Sequence, residues 1–124
     1  MPQREPRPTI AIVVGDAPLL NALAFLLEAD GWDVAAFGAP AELLESLPPA
    51  QCLLVDHHLP DMDGLTLISK ARAAGVTAPA VIIAGKPDPT LRKRATEAGI
   101  EIIEKPLVGD DVRRRIRAAL DGSR

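Results

Sequence analysis

The 124-residue chain has few residues of several types, and each scarcity argues against a class of protein. Cys52 is the only cysteine, so an internal disulfide is impossible and a reducing cytoplasmic compartment is expected. The net charge of -3 lacks the basic excess of a nucleic-acid-binding domain, so no direct contact with nucleic acid is expected. The aromatic residues Phe25, Trp32 and Phe37 have no basic residues between them, which predicts core positions and not a base-stacking surface.

Long apolar runs are also missing. No stretch reaches the roughly 18 apolar residues of a membrane span, and the polar, proline-rich beginning does not read as a signal peptide. A chain of this length that is 48% hydrophobic can bury one core and has no room for a second ordinary domain. We therefore expect a single domain over residues 1–124, with an N-terminal extension at 1–8 and a C-terminal tail at 121–124.

The chain does contain a regular alternation of strand and helix patterns. Apolar runs rich in β-branched residues predict strands at 9–14, 32–37, 52–56, 80–84 and 100–103. Segments with helical spacing of leucine and alanine predict helices near 18–30, 41–47, 65–74, 90–98 and 108–120. This order predicts an α/β fold, a flavodoxin-like (βα)5 doubly wound sandwich with five parallel strands in the order 2-1-3-4-5 and helices on both faces.

Four residues of possible function lie at or just after the carboxyl ends of predicted strands: Asp16, Asp56, Gly85 and Lys105. Ligands of doubly wound sheets bind at this edge, so we expect the four positions to converge there. Two carboxylates with room for water suit Mg²⁺ better than zinc, and a lysine can neutralise a phosphoryl group. The alternative is structural, because Asp16 can cap a helix, Asp56 can close a turn and Lys105 can be a solvated charge.

Three short motifs make the chain resemble the receiver domains of bacterial two-component response regulators, over nearly its whole length. The most specific is the stretch LLVDHHLPDMDGL, from Leu53 to Leu65, which is similar to the family's phosphoacceptor strand and the loop after it. The tripeptide at 104–106 is the second match, and the stretch at 13–16 is a weaker third. The resemblance implies that Asp56 takes a phosphoryl group from the phosphohistidine of a sensor histidine kinase or phosphotransfer protein, as a signalling domain and not a turnover enzyme.

The resemblance also implies roles for the residues around Asp56. Mg²⁺ would be ligated by the carboxylates of Asp16 and Asp56, by the main-chain carbonyl of His58 and by water. Lys105 would contact the phosphoryl group, and the main-chain N–H groups of His57 and Gly85 would face it. The peptide bond between Lys105 and Pro106 is expected to be cis.

Three positions depart from the family pattern. Gly15 stands where an acidic residue usually helps to hold the metal, so Mg²⁺ is expected to bind weakly. Ala84 replaces a hydroxyl residue that would bond the phosphoryl group, and Ile102 replaces an aromatic residue that turns inward on activation. A divergent pseudo-receiver that binds partners independently of phosphate therefore stays an alternative, as does a small flavodoxin-like enzyme, although residues 15–18 lack a glycine-rich phosphate loop.

Basic residues concentrate in the last two predicted helices and the loop before them. They are Lys86, Arg92, Lys93, Arg94, Arg113, Arg114, Arg115 and Arg117. In the related family this face often forms dimers, so a homodimer through the fourth and fifth helices is one expectation. The other is a solvated face whose charge is balanced by Glu97, Asp110 and Asp111.

Overall fold

A five-stranded parallel sheet forms the centre of the computed structural model, which describes residues 8–122. Its strands are β1 (Thr9–Val13), β2 (Asp33–Phe37), β3 (Cys52–Asp56), β4 (Ala80–Ala84) and β5 (Glu101–Glu104). The helices between and after them are α1 (Ala17–Ala29), α2 (Pro40–Ser46), α3 (Gly64–Ala73), α4 (Pro89–Ala98) and α5 (Gly109–Gly122). The predicted alternation of strands and helices is confirmed.

The strands lie in the order β2-β1-β3-β4-β5, which confirms the predicted flavodoxin-like topology. The strand order reverses between β1 and β3, and this is where doubly wound sheets place their ligands. In the register, Val13 is opposite Val55 and Asp56 is opposite Ile83. The carboxyl ends of the three central strands are therefore level at one edge of the sheet.

The two faces of the sheet carry separate apolar layers, because successive side chains of a strand point to opposite sides. β3 and β4 are buried along their whole length. On one face, the layer joins the sheet to α2, α3 and α4 and includes Val13, Leu43, Leu53, Val55, Leu67, Ile68, Ile82, Leu91 and Ala95. On the other face, it joins the sheet to α1 and α5 and includes Ile10, Ile12, Leu23, Leu27, Leu54, Val81, Ile83, Val112 and Ile116.

Three helices begin with an aspartate cap next to the carboxyl edge of the sheet. The capping residues are Asp16 for α1, Asp63 for α3 and Asp88 for α4. Each side chain accepts a hydrogen bond, 2.8 to 2.9 Å long, from an N–H group in the first turn of its helix. Such caps satisfy donors that a helix start leaves free, so they fix where each loop at this edge ends.

The ends of the chain differ from the prediction in two places. α5 continues through Gly122, so residues 121 and 122 belong to the helix and not to the predicted tail. A glycine commonly ends a helix, whereas nothing about Leu120 requires an earlier stop. Pro8, assigned to the N-terminal extension, already borders the sheet, since its carbonyl accepts the N–H of Asp33 at 3.0 Å. Residues 1–7 and 123–124 lie outside the described residues.

The prediction that three aromatic residues lie in the core is wrong for one of them. Trp32 is buried and Phe37 packs against the core, but Phe25 is 75% exposed. Leu23 and Leu27 cover the sheet, and Phe25 lies midway between them in sequence, which turns it to the opposite side of α1.

Among residues 8–122, no helix combines the length and the apolar character needed to cross a membrane.

Candidate functional site

Asp56 is the last residue of β3 and is 3% exposed, the one buried charged residue among residues 8–122. Its carboxylate Oδ2 lies 3.0 Å from the Nζ atom of Lys105, which directly follows β5. β5 is two strands away from β3, so the lysine side chain reaches across the end of β4. The structure thus brings together two residues that are 49 positions apart in the chain.

Both oxygens of the Asp56 carboxylate have a partner. Oδ1 accepts the main-chain N–H of His58 at 3.1 Å, and Oδ2 is paired with Lys105. A buried carboxylate is stable only when it is paired and hydrogen-bonded, and this arrangement meets both conditions. The bond from His58 is also the one that an aspartate makes when it closes a turn, so the structural interpretation of Asp56 and the functional one share this geometry.

The expectation for the main-chain N–H of His57 needs correction. This group donates to the carbonyl of Ile83 at 2.8 Å, because His57 continues the hydrogen-bond ladder between β3 and β4 for one residue beyond the strand. It is therefore committed to the sheet and not to the site. The N–H that reaches the Asp56 carboxylate belongs to His58.

Asp16 lies at the same edge of the sheet, but its side chain has a structural task. It is exposed, and its Oδ2 accepts the N–H of Leu19 at 2.9 Å, so the capping interpretation is confirmed for this residue. Beside it, a Cβ atom on Gly15 would lie 3.4 Å from Pro60 Cδ and 3.8 Å from the carbonyl of Gly38. These are ordinary contact distances, so no steric reason requires a glycine where the family carries an acid.

The acidic groups at this edge of the sheet bear on the predicted Mg²⁺ site. Residues 8–122 contain no cluster of three or more histidine, cysteine, aspartate or glutamate side chains arranged to hold a metal. Mg²⁺ can bind through one or two carboxylates with water as its other ligands, and Asp16 and Asp56 follow neighbouring strands at one edge. The ammonium group of Lys105 already neutralises Asp56, so a cation must compete with it.

Of the other two departures from the family pattern, Ala84 lies at the same edge and Ile102 lies two residues further back, opposite Ile82. Ala84 is buried at the end of β4 and offers a methyl group where a hydroxyl is usual. A Cβ on Gly85 would have no heavy atom within 4 Å, so open space lies next to this residue. Ile102 packs, partly buried, against the layer that holds α4. The peptide bond between Lys105 and Pro106 is cis, the isomer that the resemblance implies.

The loop after Asp56 contains a requirement that sequence reasoning missed. A Cβ atom on Gly64 would stand 2.8 Å from the carbonyl oxygen of Asp56 and 2.8 Å from Ile82 Cδ1. Those distances are shorter than carbon atoms tolerate, so only glycine lets α3 begin this close to the end of β3. The available signal was a glycine directly after the capping Asp63, at the point where a helix starts.

Asp63 is the most perturbed carboxylate near the site. Partial burial by itself would raise its pKa, but hydrogen bonds from Thr66 and the charges of His57 and Arg94 together hold the pKa below its usual value. Its contribution to stability is therefore present at neutral pH and lost as the pH falls through that lowered pKa. The buried Cys52 thiol, inside β3, shows the opposite effect, since burial raises its pKa to about 12.

Most of the predicted basic face is paired within the chain. We call the arginines at 92, 113, 114 and 115 the arginine surface; their partners are Glu104, Asp110, Asp111 and Glu101. Partial burial would lower the pKa of Arg115, but its hydrogen bond with Glu101 and the charge of Asp111 raise it overall. Two of the three predicted balancing acids thus take part, which favours the solvated-face interpretation.

Curated relatives resemble this chain along most of its length. It is 29% identical over 114 residues to the transcriptional regulatory protein FixJ of Bradyrhizobium diazoefficiens, covering 90% of this chain and 56% of that protein. It is 31% identical over 116 residues to the transcriptional regulatory protein KdpE of Mycobacterium tuberculosis, covering 90% of this chain and 51% of the relative. The chain therefore spans about half the length of these relatives.

Solved structures agree with the sequence relatives. A response regulator receiver domain protein from Methanospirillum hungatei superimposes with a TM-score of 0.87 at 26% identity, covering 94% of this chain and 96% of that one. Full-length FixJ from B. japonicum gives a TM-score of 0.84 at 27% identity, covering 96% of this chain and 60% of that one. Residues 10–117 match the response regulator receiver domain as a family. With the sheet order and the Asp56–Lys105 pair at its carboxyl edge, the chain belongs to the receiver domain family of two-component response regulators.

Proposed function

We propose that Asp56 is the phosphoacceptor of this receiver domain and takes its phosphoryl group from the phosphohistidine of a sensor histidine kinase or phosphotransfer protein. The family consists of signalling proteins that interact with such partners, and not of classical enzymes. The observation that carries the proposal is the pairing of the buried Asp56 carboxylate with Lys105 Nζ at 3.0 Å. The amine of Lys105 is about one-third exposed, so it can pair with the oxygens of an incoming phosphoryl group as it now pairs with the carboxylate.

The transfer forms one bond and breaks one bond. A carboxylate oxygen of Asp56 forms a P–O bond to the phosphorus, the P–N bond to the donor histidine breaks, and its electron pair stays on the imidazole nitrogen. Lys105 then faces the phosphoryl oxygens instead of the bare carboxylate. The N–H of His58 is the main-chain donor nearest the carboxylate, and Gly85, with open space beside it, is the second position from which an N–H would face the phosphoryl group.

Receiver domains generally use Mg²⁺ at the phosphorylation site. In this chain the carboxylates of Asp16 and Asp56 and the main-chain carbonyl of His58 would hold it. When bound, the ion supplies positive charge that offsets the repulsion between a carboxylate and an incoming phosphoryl group. With Gly15 in the place of one acid, Lys105 carries a larger share of that neutralisation.

Phosphorylation of this domain would not be passed on through the hydroxyl and aromatic residues that the family usually uses. Ala84 has no hydroxyl to bond the phosphoryl group, and Ile102 has no ring to turn inward, so the signal leaves by another route. A homodimer through α4 and α5 is one such output, and it would have to form without breaking the ion pairs of the arginine surface. The second function, a pseudo-receiver that binds partners independently of phosphate, is favoured by the absence of an acid at Gly15.

We further propose that residues 1–124 act as one receiver unit in the cytoplasm, without direct contact with membrane or nucleic acid. A chain with a single cysteine, and so without an internal disulfide, suits a reducing compartment. A further effector domain in the natural protein is compatible with the half-length match to the relatives.

Phosphorylation is tested by incubating the chain with a small-molecule phosphodonor and Mg²⁺, then measuring the intact mass. The wild-type chain is expected to gain one phosphoryl group and the D56N variant none. D61N is the matched control, since Asp61 is an acid of the neighbouring loop, and it should still be modified. If the wild-type chain gains no mass while a standard receiver is fully modified, the phosphoacceptor proposal fails and the pseudo-receiver stands.

A further inference from the structure

A cleft of about 280 Å³ lies beside the proposed phosphoacceptor, between the loop that follows β3 and the beginning of α4. We call it the α4 cleft. The side chains that line it and matter for its chemistry are His57, His58, Lys86, Asp88, Thr90 and Arg94. Two of them directly follow Asp56 in the chain, but none is part of the pair between Asp56 and Lys105.

The charge of the α4 cleft is predominantly positive. Lys86 and Arg94 supply two cationic side chains to its lining. Asp88 is the one acid among the lining residues, and its Oδ1 already accepts the N–H of Leu91 at 2.8 Å as the cap of α4. The first turn of α4 also opens into the cleft and adds the partial positive charge of a helix start.

Several donors in the cleft have bonding capacity left. The Nη1 atom of Arg94 lies 3.6 Å from Asp63 Oδ2, too long for a strong hydrogen bond, and a guanidinium has five N–H groups. Both Lys86 and Arg94 are exposed side chains, so their remaining N–H groups are open to a ligand in the cleft.

We propose that the α4 cleft binds an oxyanion of the phosphate class, as a second anion site next to Asp56 and separate from it. Lysine as a point charge and arginine as a planar fork are the side chains that recognise such groups in proteins. The volume of the cleft leaves space for a small group attached to the oxyanion. The ligand is therefore either free phosphate or a small phosphate monoester, and the proposal does not depend on phosphorylation of Asp56.

The test is a titration of the full 124-residue chain, followed by two-dimensional amide NMR at constant ionic strength. The probes are sodium sulfate, sodium phosphate and glycerol phosphate, with chloride as the balancing anion. Saturable shifts centred on Lys86 and Thr90 are expected. Stronger binding of glycerol phosphate than of inorganic phosphate identifies a monoester as the ligand class, and the reverse order identifies the free ion.

Matched variants locate the site. K86Q and R94Q should each weaken sulfate binding by about fivefold, because each removes one charged donor from the cleft. K93Q removes the same charge from α4 at a residue that does not line the cleft, so its binding should be unchanged. D56N should bind sulfate at least as well as the wild type, which separates this proposal from the phosphoacceptor role.

Two results would overturn the proposal. In one, the shifts do not saturate, or K93Q weakens binding as much as K86Q does, and the interaction is then general surface attraction. In the other, K105Q abolishes binding while K86Q and R94Q bind normally, and the anion then occupies the pocket at Asp56. Thermal melting of each variant accompanies the titration, and K86Q decides the outcome if R94Q loses its fold together with its Asp63 contact.

Discussion

Two ion pairs of this domain differ widely in burial. In the pair between Lys105 and Asp56, the carboxylate side chain is 4% exposed and the lysine 33%. In the pair between Arg92 and Glu104 of the arginine surface, both side chains are more than half exposed. Exposed pairs contribute about 0–1 kcal/mol, whereas loss of a partner leaves a buried charge uncompensated. Loss of a partner is therefore expected to cost more stability at the carboxyl edge of the sheet than on the arginine surface.

The largest effect on stability is expected at Gly64, where the beginning of α3 lies close to the end of β3. G64A should lower the free energy of unfolding by about 3 kcal/mol, because the added methyl group meets the carbonyl of Asp56 and the side chain of Ile82 at 2.8 Å. Urea denaturation measures the loss. Labelling of Cys52 gives a second measure, since this fully buried thiol, with its pKa of about 12, reacts only when the sheet opens.

The matched control is G85A, which adds the same methyl group where no heavy atom lies within 4 Å. Its unfolding free energy should stay within about 0.5 kcal/mol of the wild type. Equal stability of G64A and G85A would show that α3 does not start in contact with the end of β3.

The next largest effect is expected at the ion pair between Lys105 and Asp56. K105Q should lower the free energy of unfolding at pH 7 by about 1–2 kcal/mol, since it leaves the Asp56 carboxylate without its cation while solvent still reaches the site of the lysine. The double variant K105Q/D56N should regain part of that stability. A double-mutant cycle by urea denaturation measures the coupling, and strictly additive changes would contradict a pairing of the two groups.

A smaller effect is expected when an acid is restored to the edge of the sheet. G15D should strengthen Mg²⁺ binding by about tenfold, because it adds a carboxylate where contacts of 3.4 and 3.8 Å leave room for a side chain. Isothermal titration calorimetry measures the affinity. A22D places the same charge on the exposed side of α1, away from the edge, and should leave the affinity at the wild-type value; equal gains in both variants would reduce the effect to general charge attraction.

The smallest effect is expected on the arginine surface. R92E should change the free energy of unfolding by less than about 1 kcal/mol, because its partner Glu104 is solvated. Sedimentation velocity checks the oligomeric state of the same variant. An unchanged state supports the solvated-face interpretation, whereas a change in self-association supports the homodimer through α4 and α5.

The residues predicted correctly depend on local sequence patterns, whereas those predicted wrongly depend on contacts between distant segments. Leu23 and Leu27 follow a helical spacing that is visible in the sequence, and they are buried as their pattern indicates. The place of Phe25 in a predicted helix without basic residues around it predicts a core position, yet its direction depends on which side of α1 faces the sheet. The N–H of His57 was assigned to the site, yet the register between β3 and β4 gives it to Ile83.

Local patterns were enough to find five strands, five helices and their order, because hydrophobic periodicity and caps act over a few neighbouring residues. They were also enough to single out Asp56 and Lys105, since Asp56 closes the third predicted strand and Lys105 comes soon after the fifth. Only the folded chain shows that these two side chains lie 3.0 Å apart. It also shows that Asp16 accepts a hydrogen bond from the N–H of Leu19 and that position 64 has no room for a side chain. Those facts depend on strand register and side-chain direction, which arise when distant segments pack together.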